Sequence, residues 1–260
     1  MKAASFLLLA LAACGGATPP DARSAAPSPS EPKPSAGAPG APSPSASEAE
    51  GSDLSDKAPV PFRAVFSTGE LGSPWNVFGA QNGNREVKGG ADGLWIKIAS
   101  GEKNWDAVGA RTAKLKVDGD FDLRGRFRDF SVQGNGSAKL IVVDASNPRG
   151  EAAYVERAQI DGKNLFKFGG DVEGSLEQWG YVATDATSGD LRIVRLGRTL
   201  RAYTRPDERS SWNEFASVQE VPRSMPRVVK FGMKLSAEAH KSAQVRWTEL
   251  TLKGQVVRSE

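Results

Sequence analysis

Between residues 61 and 260 apolar side chains recur at every second position. Leu94, Ile96 and Ile98 alternate with Trp95 and Lys97, and Phe121, Leu123, Gly125 and Phe127 with Asp122, Arg124, Arg126 and Arg128. Val229, Phe231, Met233 and Leu235 alternate with Lys230, Gly232 and Lys234. Successive side chains of a strand point to opposite faces, so each run predicts a strand with one face buried and the other wet. Ser137 to Val143 is apolar enough to be covered on both faces. Gly197-Arg198, between Leu191–Leu196 and Thr199–Tyr203, predicts a two-residue hairpin with Gly at positive φ. Breaks at Asn82-Gly83-Asn84, Gly89-Gly90, Asp118-Gly119, Gly134-Asn135-Gly136, Asp161-Gly162, Gly169-Gly170 and Ser188-Gly189 imply about twelve to fourteen short strands. The only helical candidate is a turn near Ser236–Lys241. Two antiparallel sheets packed face to face bury that many alternating strands, so 61–260 is expected to be an all-β sandwich.

The first sixty residues have a different character. Lys2, the apolar run Phe6 to Ala13 and the small residues before Cys14 form a signal peptide over 1–13, too short to span a bilayer as a permanent helix. Leu11-Ala12-Ala13-Cys14 resembles the lipobox of bacterial lipoproteins, which implies acylation of Cys14, a lipid bilayer as partner and a place in the bacterial cell envelope. Gly15 and Gly16 lack the Asp of inner-membrane retention, which by that family's rule implies the outer membrane. From Gly15 to Val60 the chain holds ten of its sixteen prolines and no aromatic residue. Such a segment buries too little apolar surface to offset the entropy of ordering, so 14–60 reads as a disordered tether.

Composition narrows the chemistry. With one Cys and one His in 260 residues, a His/Cys zinc site and an intrachain disulfide are excluded. The net charge of +3, from 34 basic and 31 acidic residues, points to no nucleic-acid partner.

The motifs carry a family resemblance. Gly119-Asp120-Phe121-Asp122, followed by Phe127, resembles a strand of the concanavalin A-like lectin/glucanase jelly rolls, in the LamG-like manner. Leu191 to Tyr203 followed by Ser211-Trp212-Asn213 resembles one of their hairpins, and Val229–Ser236 with Val245, Trp247, Leu250 and Leu252 resembles their last core strands. The resemblance implies a jelly roll in which Phe121, Phe127, Ile193, Trp247 and Trp212 pack the core. It leaves function open, because that fold hosts lectins, adhesion modules and glycanases.

The Glu-x-Asp-x-x-Glu strand of the family's glucanases is absent from this chain. Asp118, Asp120 and Asp122 alternate at a strand entrance, where they form either a solvated turn or a structural calcium site; no other cofactor is implied. His240 lies in a polar stretch expected to be a surface loop, and Gly134-Asn135-Gly136-Ser137 lacks the Lys of a phosphate loop. Two functions stay open. One is a non-catalytic module binding a carbohydrate or another envelope component, with Trp105, Trp179 and Tyr181 stacking on the ligand and Trp75 as a weaker third position. The same aromatics would otherwise plug the ends of the sandwich. The other is a glycoside-processing hydrolase resembling the 3-keto-disaccharide hydrolase jelly rolls, in which Glu156, Gln159 and Asp161 would be the working polar groups.

Overall fold

The computed structural model describes residues 61–258 apart from 65, 67–70, 81–82, 102, 148–149, 173 and 222–224. The chain divides into two units, Met1–Ala49 and Glu50–Glu260. The signal peptide, Cys14 and the tether expected over 14–60 lie outside the described residues.

Fifteen strands and no helix are found among the described residues: β1 Phe62–Ala64, β2 Trp75–Phe78, β3 Arg85–Gly90, β4 Gly93–Ile98, β5 Asp106–Thr112, β6 Leu115–Val132, β7 Gly136–Asp144, β8 Glu151–Ile160, β9 Lys163–Val172, β10 Ser175–Ala183, β11 Gly189–Leu196, β12 Thr199–Arg205, β13 Asn213–Val218, β14 Val228–Ala237 and β15 Ala243–Arg258. Every pairing is antiparallel. One sheet runs β10-β9-β8-β7-β14-β5-β2. The other runs β3-β4-β15-β6-β11-β12-β13, with β1 on β15. They join where the first residues of β6 pair with β14 on one side and β15 on the other. This is the all-β sandwich that the alternation implies, in the jelly-roll form that the resemblance implies.

The inward positions of both sheets form one core. Leu94, Ile96, Val108, Leu123, Phe127, Leu140, Val155, Phe168, Ile193, Met233 and Trp247 are completely buried. Phe121, Phe127, Ile193 and Trp247 lie in this core as expected. Two devices keep the alternation in step with the sheets. A register shift between Trp247 and Glu249 in β15 lets Trp247, Leu250 and Leu252 all face inward. At Gly125 an inward Cβ would lie 2.8 Å from the Trp247 ring and 3.1 Å from Leu140, so only glycine lets the indole pack.

Several local expectations are corrected. Asp118-Gly119 and Gly169-Gly170 do not end strands; β6 and β9 run through them, and Gly119 at φ 79 bends β6 as it leaves β14 for β11. The expected turn near Ser236–Lys241 begins only after Ala237. Ser236 and Ala237 are held in β14 by pairing with β5 and β7. His240 then takes φ 62 in an exposed turn. Trp212 is not in the core. It lies half-buried on the outer face of the second sheet, its ring within 4.4–5.8 Å of the guanidiniums of Arg205, Arg192 and Arg124.

Candidate functional site

The outer face of the first sheet is a ladder of cross-strand rows. Ala153 and Val155 of β8 face the core, so Tyr154 and Glu156 face out. Register sets Glu156 between Lys139 of β7 and Lys167 of β9, with Lys234 of β14 beyond Lys139 and Tyr181 of β10 beyond Lys167. The next row holds Gly232, Ile141, Tyr154, Gly169 and Gln178. On the other side comes a row of small side chains, Ala107, Ser236 and Ser137. Gly169 is required beneath Tyr154, because a Cβ there would come within 2.6 Å of the phenol oxygen.

These rows floor a cavity of ≈ 550 Å³. Its charges form one chain of ion pairs. Lys139 Nζ lies 3.1 Å from Glu151 and 3.5 Å from Glu156, Lys167 Nζ lies 3.2 Å from Glu156, and Lys234 also pairs with Glu151. Glu156 is only 3% exposed, a burial tolerable for a carboxylate because two ammonium groups flank it. Burial acts to raise the Glu151 pKa, but Lys139 and Lys234 outweigh it and hold the carboxyl below its ordinary value. Burial likewise opposes the charge on Lys139, yet Glu156 and Glu151 raise its pKa above that of a free lysine. The Lys139 ammonium sits 4.1 Å from the Tyr154 ring centroid, and burial foremost, then Glu156, pushes the phenol up to about 12. At neutral pH the floor therefore presents fixed ammonium donors, carboxylate acceptors and a neutral phenol. The Ser137 and Ser236 hydroxyls, 3.0 Å apart, add neutral polar groups beside it.

The rim is apolar. Trp105 (57% exposed) stands at one wall and Leu176 (67% exposed) at the other. Tyr181 (62% exposed) shares the same face in the Lys167 row. Three of the four exposed large hydrophobics among the described residues thus lie on this face.

The structure separates some residues that the sequence grouped. Trp179 and Tyr181 do not share a face, because a bulge between Gln178 and Gly180 inserts Trp179 as an extra residue. The Trp179 ring packs edge-on against Phe168 of the core at 5.0 Å, with its indole nitrogen donating to Glu177. Trp75 likewise packs against Phe62, Phe66 and Phe231. Of the three polar groups Glu156, Gln159 and Asp161, only Glu156 lines the cavity. Gln159 has the opposite parity and donates to the Gly134 carbonyl, and Asp161 sits in a turn at φ 50 where Asn135 accepts its backbone N–H.

The three aspartates suggested for calcium are engaged apart. Asp118 pairs with Arg227, Asp120 accepts the Gly197 N–H at 2.7 Å, and Asp122 accepts from Arg192 at 2.9 and 3.0 Å and from Arg124. Burial acts to raise the Asp122 pKa, but the two guanidiniums carry it below the usual value. Among the described residues no three His, Cys, Asp or Glu side chains converge as metal ligands, so this trio does not fit a cation.

Lys139, Glu151, Tyr154, Lys167 and Lys234 were not singled out from the sequence. The available signal was weak: Lys139 is the one charged residue in an otherwise uncharged run from Gly136 to Val143, which a solvated position explains equally well.

A family model described as "Protein of unknown function (DUF1583) C domain" matches residues 44–259. Among solved structures, the exoplasmic/lumenal domain of VIP36 in its Ca2+-bound form has a TM-score of 0.52 at 10% identity, covering 76% of this chain and 91% of that chain. The carbohydrate recognition domain of Emp47p gives 0.52 at 9% identity, covering 75% and 94%. A mutant of the GH43 protein BlXynB from Bacillus licheniformis gives 0.51 at 13% identity, covering 74% of this chain but 39% of that one. At these identities the likeness is one of fold. No curated protein matches the chain in sequence.

Proposed function

Since the chain belongs to the family described as "Protein of unknown function (DUF1583) C domain" through a match that takes in all fifteen strands, we propose that this domain is a carbohydrate-binding module whose ligand lies on the outer face of the first sheet. The observation that carries the reading is the cavity with Trp105 and Leu176 on its walls and Tyr181 on the same face, over a floor of paired charges. A sugar offers an apolar C–H face and a rim of hydroxyls. Exposed aromatic rings suit the first, and Ser137, Ser236, Gln178 and the Lys–Glu chain suit the second. Exposed apolar side chains gathered on one face are the mark of an interaction surface. The sugar recognition for which Emp47p's domain is named supports the same reading.

Binding without turnover fits the electrostatics better than hydrolysis. Glycoside hydrolysis needs one carboxyl group that holds a proton to give to the leaving oxygen. Lys139 and Lys234 hold the Glu151 pKa below the ordinary carboxylate value, which suits it poorly to that role. In the full chain, acylated Cys14 and the segment 15–60 would hold the module at a membrane of the bacterial envelope, with the outer membrane as the expected site.

A glycan array probed with the full chain, followed by calorimetry on the best ligand, tests the reading. Trp105→Ala should weaken binding about tenfold or more, equivalent to roughly 1.4 kcal/mol, with an unchanged melting temperature. Unaltered affinity in Trp105→Ala, or glycan cleavage that Glu156→Gln abolishes, would overturn it.

A further inference from the structure

Beyond the cavity, the outer face of the first sheet ends in a group of cations that includes Lys116 and Lys230. In β14, Val229 and Phe231 face the core, so Lys230 faces out on the same side as Lys234, four residues and roughly 13 Å along the strand. β6 pairs with β14 as Val228↔Asp118 and Val229↔Val117; one further step in that register sets Lys116 opposite Lys230. On the same edge of β14, Arg111 of β5 pairs with Gly232, its guanidinium 5.4 Å from the Phe78 ring centroid.

Like charges set directly opposite each other across a ladder are destabilising. Elsewhere on this face every lysine of the cavity floor has a carboxylate partner. Here the carboxylates nearest in register are committed to other groups: Asp118 to Arg227, and Asp144 to the hydroxyl and amide of Ser146 at 2.7 Å. No ion pair to Lys116 or Lys230 is found among the described residues. Burial foremost, then the fields of Lys116 and Arg111, depress the Lys230 pKa.

Resting on the carbohydrate reading of the neighbouring cavity, we infer that Lys116 and Lys230 form a seat for an anionic substituent, a carboxylate or sulfate, of an extended glycan that runs from the cavity along β14. Half-buried Phe78, packed against the buried cluster of Ile141, Val143 and Tyr154, is the apolar surface that a sugar chain would cross on its way to that seat. Val257, the fourth exposed large hydrophobic, pairs in register with Lys116.

Two readouts on the full chain test the seat. Inorganic sulfate, added at constant ionic strength, should raise the melting temperature of the wild type and not that of Lys116→Gln/Lys230→Gln. The double variant itself should be at least as stable as the wild type, because a repulsion has been removed. In calorimetry at low salt, oligogalacturonate should bind at least tenfold more tightly than its methyl ester, and dextran sulfate more tightly than dextran. The preference should vanish in the double variant, with the affinity for each neutral probe unchanged. The first pair reads a carboxylate and the second a sulfate, so one pair alone showing the preference identifies which group is seated. Equal sulfate responses in wild type and double variant would overturn the seat, as would a charge preference that survives in the variant. Loss of all sugar binding with an intact sulfate response would instead strike the carbohydrate reading and leave the anion seat standing.

Discussion

Lys139 holds two buried carboxylates at once, and this makes it the most consequential single side chain of the cavity floor. Removing one partner of a buried ion pair leaves an uncompensated charge and costs about 3–5 kcal/mol. Lys139→Met is therefore expected to lower the urea midpoint strongly, whereas Lys139→Arg, which keeps the charge, should recover most of the loss. The floor also sets two limbs of the stability profile against pH. The folded-state pKa values of Glu151 and Asp122 lie below their ordinary values of 4.5 and 3.8, so the stability they contribute is present above about pH 4–5 and is lost as pH falls through the folded values. Tyr154 has the opposite sign. With its phenol at about 12 in the folded chain against 10.0 ordinarily, its contribution is present below pH 10 and drains away between pH 10 and 12, where the unfolded chain ionises first. Melting curves from pH 7 to 11.5 should show a shallower alkaline decline in Tyr154→Phe than in wild type; identical slopes would remove Tyr154 from that limb.

At the scale of the strand, β10 shows how one inserted residue reassigns roles. Simple alternation puts Trp179 and Tyr181 on one face, but the bulge sends Trp179 inward against Phe168 and leaves Tyr181 on the cavity face. Trp179→Ala should accordingly cost about 3 kcal/mol in denaturant unfolding, the scale of removing a large core aromatic. Tyr181→Ala should move stability by no more than about 0.5 kcal/mol, as surface changes do, and should weaken glycan binding. A second element-scale test lies in β6. Gly125→Val forces a side chain into space that Trp247 and Leu140 occupy, so a loss of roughly 1–3 kcal/mol from overpacking is expected, whereas Ala at the exposed Gly72 meets no neighbouring atom.

For the whole molecule, the sandwich is one cooperative object because β6 and β15 run together over most of their length and β6 also pairs with β14, linking both sheets. A fragment starting at Pro61 contains every described strand and should unfold in a single transition that coincides by circular dichroism and Trp fluorescence. Two separate transitions would show that the sheets fold independently. The proposed membrane anchor is testable apart from the fold. Cys14→Ser removes the thiol that would accept lipid and should release the full chain from the membrane fraction, whereas unchanged partitioning would dismiss lipidation.

Alternation of apolar and polar residues was enough to specify the class of fold and the inward set Leu94, Phe121, Phe127 and Phe231, because burial on one face of a strand writes a period of two directly into the sequence. Turn chemistry marked the Gly197 hairpin, and the motif resemblance marked Ile193 and Trp247 as core. Glu156 was also legible as a candidate through the resemblance to the hydrolase jelly rolls, and Trp105 and Tyr181 from aromatics among polar neighbours. What the tertiary structure alone decided was which outward residues meet. Lys139, Glu156 and Lys167 come from three strands, and only the pairing register makes them one row. The same register opposes Lys116 to Lys230 across more than a hundred residues of chain. Trp212, read as core from its motif, stacks on arginines, and Trp179 turns inward at a bulge. Parity along a single strand is a local property of the sequence. The insertion of a residue, the choice of partner strand and the alignment between strands are settled by packing over the whole sandwich, and the candidate site is built from those.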